Sequence, residues 1–149
     1  MSNKDIKILI FSLNNENYAV NISDVERILG YTQATSMPEA PFFVEGVINY
    51  ENSILPIINI GKKFNINSVL DGENKKIIVI KREEKKFGIV VDNVYEVRDI
   101  DGQLVEEAPP ITSGVSNNYL QGLIKLGEKI VILLNVGKIL SEDEEAMIF

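Results

Sequence analysis

Ile54-Leu55-Pro56-Ile57-Ile58-Asn59-Ile60-Gly61-Lys62 is matched later in the chain by Ile130-Val131-Ile132-Leu133-Leu134-Asn135-Val136-Gly137-Lys138. A Gly-led apolar triplet precedes each stretch, Gly46-Val47-Ile48 in one case and Gly122-Leu123-Ile124 in the other. The offset is 76 residues throughout. Any two buried hairpins share Ile, Leu and Val, but matched Asn, Gly and Lys at fixed spacing do not follow from burial alone. Self-similarity at a constant offset marks a repeated structural unit. Further out, Tyr18-Ala19-Val20 matches Phe87-Gly88-Ile89, and that register sets Val25 against Val94. Each half then runs strand, turn, strand, short break, long loop, Gly-led hairpin. The expectation is a mainly β chain of two similar lobes. Each would be a small barrel, a form that removes exposed edges by closing on itself.

The remaining segments fit that plan. Residues 6–13 and 18–22 read as a hairpin around a turn at 14–17. Ser23 followed by Glu26 is a capping-box pattern, and Val25, Ile28 and Leu29 share a helical face. Together they predict a short helix over 23–29, ended by Gly30. Pro38 and Pro41 mark a loop. Residues 46–50 and 53–60 form a hairpin across Glu51-Asn52, in which Pro56, lacking an N–H, belongs at an edge or a bulge. Asp71-Gly72 reads as a turn. Residues 76–80 and 87–91 form a hairpin around the charged tip at 82–86. Residues 95–100 continue as a strand to a turn at Asp101-Gly102, and Ala108-Pro109-Pro110 opens a loop through Asn118. Residues 120–126 and 129–134 form the last hairpin. Asn135 then caps a short helix with Val136, Ile139 and Leu140 inward. The acidic run at 141–145 reads as a solvated end.

Composition narrows the chemistry. The chain has 149 residues, 45% of them apolar, enough for a core of its own. It has no Cys, hence no disulfide or thiolate chemistry, which fits a reducing compartment. It has no His, which removes the commonest general base and metal ligand and the usual Ser triad. A net charge of −7 argues against nucleic-acid binding, which needs basic surface. No apolar run approaches the roughly 20 residues of a membrane span, and the first residues do not resemble a signal peptide, so a cytoplasmic protein without membrane insertion is expected. No phosphate-binding Gly motif occurs, and Asp71-Gly72-Glu73-Asn74 lacks calcium-loop spacing. Glu83-Glu84 and Glu106-Glu107 are sequence neighbours, and neighbours on a strand point to opposite faces. The expectation is therefore a non-enzyme with no catalytic residue, cofactor or metal. What remains is surface for protein contacts. If the halves are pseudo-symmetric, Val25 and Val94 line an apolar groove for a partner helix; the alternative is that both are core.

These residues resemble the CheW family. Tyr18-Ala19-Val20-Asn21-Ile22, Val25 and Gly30-Tyr31 look like its N-terminal signature. Pro41-Phe42-Phe43-Val44-Glu45-Gly46-Val47-Ile48-Asn49-Tyr50 and Ile54-Leu55-Pro56-Ile57-Ile58-Asn59 follow in register. Gly88-Ile89-Val90-Val91-Asp92-Asn93-Val94, Tyr119-Leu120-Gln121-Gly122 and residues 130–134 complete a match over nearly the whole chain. The resemblance implies one CheW-like domain, residues 1–149, of two SH3-like five-stranded β-barrel subdomains with short helices, one of them near the C-terminus. The lobes are expected at about 14–75 and 76–140, with strand 6–13 free to join the second.

The resemblance also implies a non-enzymatic adaptor, monomeric on its own, recruited to membrane-associated receptor arrays. Its partners are the regulatory domain of the chemotaxis histidine kinase and the cytoplasmic tip of a methyl-accepting chemoreceptor. Receptor-groove positions map to Val25, Ile28, Asn93 and Val94, and kinase contact to Asn49, Tyr50 and Glu51. Two departures stand out: Glu51 occupies a position where the family commonly has Arg, and Asn59 one where it has Asp. An acid for a base reverses the local field, and Asn keeps an acceptor but loses the charge. The alternative function is a small-ligand-binding β-barrel sensor using the cleft between lobes as a pocket.

Overall fold

Strands buried on both faces read as unbroken apolar runs, and two such strands organise this chain. In the computed structural model, which describes residues 5–66, 75–107 and 119–149, they are β1 (Asp5–Leu13) and β6 (Lys76–Arg82). Successive side chains of a strand point to opposite faces. Ile8 and Ile10 enter one core with Ala19, Ile100, Ile124, Val131 and Leu133. Ile77 and Val79 enter another with Tyr50, Leu55, Ile57 and Val90. The opposite faces, Leu9, Phe11 and Leu13 of β1 and Ile78 and Ile80 of β6, meet in a third core shared by both lobes. The expected turn at Asp71-Gly72 and the loop from Ala108 to Asn118 lie outside the described residues.

The other strands are β2 (Glu16–Asn21), β3 (Val25–Gly30), β4 (Val44–Tyr50), β5 (Ser53–Asn59), β7 (Lys85–Val91), β8 (Asn93–Asp101), β9 (Val105–Glu106), β10 (Leu120–Leu126) and β11 (Lys129–Leu134). They form a five-stranded sheet in the order β3-β6-β7-β5-β4 and a six-stranded sheet in the order β8-β1-β2-β11-β10-β9. The mainly β, SH3-like expectation holds. The halves exchange strands, however. A division near residue 75 puts β6 and β7 with the later strands by chain order, whereas by hydrogen bonding they belong with β3, β4 and β5. β1 and β2 pair with the later strands.

The duplication is written into the registers. Each sheet has one parallel pair at the same place, β5 with β7 and β11 with β2. The Gly-led hairpins both shift register at their glycine, at Val44/Gly46 and at Leu120/Gly122. The outer strands both carry one extra residue, Glu26 between Val25 and Arg27 on β3 and Tyr95 between Val94 and Glu96 on β8. The repeated Asn is a cap in both halves. Asn59 Oδ1 accepts from Lys62 N at 3.0 Å to start helix α1 (Ile60–Lys63), and Asn135 Oδ1 accepts from Gly137 N at 3.0 Å to start a 3-10 turn. As expected, Val136, Ile139 and Leu140 are buried. Asn59→Ala and Asn135→Ala are each expected to cost about 1 kcal/mol, measured as paired shifts in urea midpoint. Equal losses would mark the two caps as equivalent, and a loss at one alone would not.

Two expectations are corrected. The helix over 23–29 is reduced to a 3-10 turn at Ile22–Asp24, and the following residues form strand β3. Asn21, not Ser23, supplies the cap, accepting from Ser23 N at 3.0 Å, while the Glu26 carboxylate is taken by Tyr50 and Lys86. Pairing Val25 and Ile28 with Ile80 and Ile78 then outweighs the local helical pattern. The acidic run at 141–145 is not simply a solvated end. It starts helix α2 (Glu142–Ile148) with a complete capping box between Ser141 and Glu144.

Two turns are tighter than their sequence suggests. Asn14-Asn15 and Glu51-Asn52 have positive φ at both residues (50° and 65°, 50° and 64°), the type I′ geometry that matches strand twist. Pro56 lies opposite Val47, whose backbone N–H and C=O bond instead to Thr35. The Pro56 nitrogen therefore faces away from β4, at a point where the parallel pairing with β7, which begins at Ile57, has not started.

Candidate functional site

β3 and β8 are each one of the two outer strands of their sheet. Residues directly opposite across a ladder share a face. Val25 and Ile28 lie opposite Ile80 and Ile78, and Val94 and Val97 lie opposite Phe11 and Leu9. All four partners belong to the core between the lobes. The two strands therefore turn equivalent apolar pairs toward that core. Val25 and Val94 are half-buried against it, so each is in part core and in part surface. Ile28 and Val97 are 40% and 51% exposed. Asn93 turns inward on its own backbone, its Oδ1 accepting from Val94 N at 2.9 Å. Val97 was missed in the sequence, although the register that pairs Val25 with Val94 also pairs Ile28 with Val97.

The second set, Asn49, Tyr50 and Glu51, surrounds the β4–β5 turn. Asn49 and Glu51 are exposed, while the Tyr50 ring is buried in the first-lobe core. The Tyr50 hydroxyl donates to the Glu26 carboxylate at 2.7 Å, and the Lys86 ammonium lies 3.1 Å from the same carboxylate. Lys86 Nζ and the Arg27 guanidinium each stand 5.8 Å from the Tyr50 ring centroid. Donation to a carboxylate, with burial and that negative charge adding, pushes the Tyr50 hydroxyl up to about 12. The hydrogen bond from Tyr50, and then that from Lys86, holds Glu26 below the usual carboxylate value. A raised folded-state value means that the Tyr50 contribution to stability is intact below the ordinary tyrosine value and is lost as pH rises through about 12.

The two departures find partners. Glu51 pairs with Arg27 at 3.4 Å, so the acid at this position is met by a base on β3. Both side chains are about half exposed, so the pair contributes little to stability. The Asn59 amide uses the donor that an Asp would lack, giving Nδ2 to Glu45 at 2.8 Å while its oxygen caps α1. Nearby, Ile54 lies opposite Asn49 and is 74% exposed. Its repeat equivalent, Ile130, is 54% exposed. The acidic pairs stay on the surface: Glu83-Glu84 form the β6–β7 turn, and Glu106 faces Lys125 at 3.8 Å.

The C-terminal helix is pinned to the first lobe. Lys63 Nζ lies 2.8 and 2.7 Å from the two Glu144 carboxylate oxygens and 4.5 Å from the Phe43 ring centroid. Burial pushes Glu144 up, but hydrogen bonds from Lys63 and Ser141 outweigh it and leave the carboxyl lowered. The contact therefore stabilises the fold above the ordinary carboxylate value and is lost as pH falls through the lowered one. Two open depressions lie at the ends of the lobes. One is bordered by Arg27, Tyr31, Asn49 and Glu51, the other by Tyr95, Arg98, Lys129 and Ile130.

Residues 7–144 match the CheW-like domain family. The chemotaxis protein CheW of Klebsiella aerogenes is 37% identical over 142 residues, covering 95% of this chain and 86% of that protein. The chemotaxis protein CheW of Treponema pallidum is 26% identical over 148 residues, covering 97% and 87%. Among solved structures, the crystal structure of the scaffolding protein TtCheW from Thermoanaerobacter tengcongensis superposes with a TM-score of 0.86 at 31% identity, covering 95% of this chain and 91% of that one.

Proposed function

The chain belongs to the CheW-like domain family, and from that premise we propose that it is a non-enzymatic chemotaxis adaptor. It joins the cytoplasmic tip of a methyl-accepting chemoreceptor to the regulatory domain of the chemotaxis histidine kinase. The observation that carries this reading is the family match across residues 7–144, which spans both lobes. No helix among the described residues is long and apolar enough to cross a membrane. The protein works in the cytoplasm as a monomer until it is recruited to a receptor array.

The receptor surface is the pair of apolar rails on β3 and β8. Val25 and Val94 form the half-buried floor, Ile28 and Val97 the exposed flanks, and Asn93 fixes the start of β8. Apolar rails of this kind suit one face of an amphipathic helix. The kinase surface is the β4–β5 turn. Asn49 and Glu51 make the contact, and the buried Tyr50 holds them in place.

Ile28→Glu and Val97→Glu test this reading. Both positions are exposed, so a charge there leaves the fold intact. Against a docked helix the same charge loses its water without a partner, which costs more than the roughly 1–3 kcal/mol of an unpaired neutral polar group. Calorimetry with a receptor-tip fragment and the kinase regulatory domain should show receptor affinity falling at least about tenfold while kinase affinity is unchanged. Val94→Glu is a poorer test, because Val94 also packs on the inter-lobe core. Wild-type protein that binds neither fragment would overturn the reading.

A further inference from the structure

Two of the chain's three methionines, Met37 and Met147, meet across one groove although they are far apart in sequence. The groove has a volume of about 330 Å³ and lies between the loop at 37–41 and helix α2. Val44, Val47, Pro56 and Ile148 form its half-buried floor. Met37, 49% exposed, stands on the loop wall, and Met147, 63% exposed, on the helix wall. Single exposed apolar side chains are ordinary on a protein surface. Two thioethers converging on one apolar floor form a patch, and such side chains adapt to whatever covers them. Both walls are held in place. In the loop, Ala40 N donates to Met37 O at 3.4 Å and Val44 N to Pro41 O at 2.9 Å. Helix α2 is held by Glu144 on Lys63 at 2.7 Å and by Glu145 on Lys85 at 3.0 Å. A preformed groove spares its partner the cost of ordering it.

We propose that this groove docks one amphipathic helix of a protein partner whose apolar face is flanked by Lys or Arg. It is a third surface, separate from the rails on β3 and β8 and from the β4–β5 turn. The lining selects a helix. Pro38, Pro41 and Pro56 have no backbone N–H to offer. The edge of β4 at Val47 is already taken by Thr35, which gives and receives one hydrogen bond of 2.9 Å. An extended segment would find no ladder there, whereas a helix satisfies its own backbone and needs only an apolar floor. The rim selects the charge. No basic residue lines the groove, and Glu39 stands on its loop wall. On α2, Asp143 precedes Met147 by four residues and therefore shares its face. Neither carboxylate has an ion-pair partner among the described residues. Acidic margins beside an apolar floor complement a helix with basic margins. They disfavour an anionic membrane surface and a second copy of this chain, whose net charge is −7.

The test uses the full chain and a synthetic helical peptide with Leu along one face and Lys on both margins. A second peptide carries Glu in place of Lys. Binding is followed by calorimetry and by the methyl NMR signals of Met37 and Met147. The Lys peptide should bind saturably, move both methyl signals, and bind at least about tenfold more tightly than the Glu peptide. Met37→Gln with Met147→Gln keeps side-chain length and net charge, and should weaken the Lys peptide at least about tenfold. Attraction to the net charge alone would not be affected by that change. The same variant should bind a receptor-tip fragment and the kinase regulatory domain as wild type does, and failure of the adaptor reading would leave the peptide result standing. Glu39→Lys with Asp143→Lys should reverse the preference toward the Glu peptide; if that variant does not fold, Glu39→Lys alone should narrow it. Equal affinity for the two peptides, unchanged affinity in the Gln variant, or methyl signals that do not move would each overturn the docking site. Two further outcomes overturn it by naming another occupant. One is wild type that binds anionic phospholipid vesicles and not the peptide. The other is a dimer, seen by sedimentation, that the Gln variant abolishes.

Discussion

Phe11→Ala is expected to lower the unfolding free energy by about 3–5 kcal/mol, the range for removing a fully buried Phe. Phe11 is completely buried in the core that both lobes share, and its ring stacks on Tyr18 with centroids 6.1 Å apart. Its neighbours across the ladders are Tyr18 on β2 and Val94 on β8. The cavity would be lined by strands of both sheets, each held in its own ladder, and could collapse only by moving the lobes together. A domain of this size has roughly 5–15 kcal/mol of stability in all, so the loss is a large share of it, equivalent to a fall of roughly 10 °C in Tm. Urea denaturation followed by two probes would measure it. A single shifted transition is expected because the lobes share this core. A loss under about 1 kcal/mol would mean that the lobes do not depend on each other through Phe11. Phe42→Ala, at a site 74% exposed, should stay within about 0.5 kcal/mol of wild type.

Gly46→Ala should be nearly as damaging. Gly46 has a φ of 141°, a conformation that side chains oppose. A Cβ there would lie 2.0 Å from the Thr35 carbonyl oxygen and 2.5 Å from its carbon. These are backbone atoms, and they are held. Thr35 exchanges two hydrogen bonds with Val47, each 2.9 Å. The side chain must therefore break that bridge as well as strain the backbone. Strain costs about 1–3 kcal/mol and overpacking a similar amount, which together give about 3 kcal/mol or more. The repeat equivalent, Gly122→Ala, should cost less. Its nearest obstacle is the Val105 side chain at 2.4 Å, which can turn, although the Glu106 carbonyl at 2.8 Å is close too. Gly30→Ala meets nothing within 4 Å and serves as the control. Thermal melts of the three variants would rank them. A Gly46→Ala protein as stable as Gly30→Ala would contradict the packing of Thr35 on the β4 bulge.

Much of this protein was legible in its residues because the signals are local. Apolar runs became strands, Asn135 became a cap, and the constant offset from Gly46 to Gly122 became two hairpins with the same bulge. A cap or a turn is decided by atoms within a few residues, so the sequence around it suffices. The groove positions Val25 and Val94 could be paired for the same reason, through the repeat. Three features were decided elsewhere. Ser23 and Glu26 spell a helix start, yet Glu26 is claimed by Tyr50, 24 residues away, and by Lys86, 60 away. Tyr50 stands in the sequence as one of three residues expected to contact a partner, yet its ring is core. β1–β2 and β6–β7 are alike, apolar on both faces, and nothing within either hairpin says which sheet it joins. That choice is made by parallel pairing with β11 or β5 and by the shared inter-lobe core. The sequence by itself determined what each segment can form and that the two halves are alike. The exchange of strands between lobes, and the link from β3 to the β4–β5 turn, came only with tertiary structure, because both depend on contacts between residues far apart in the chain.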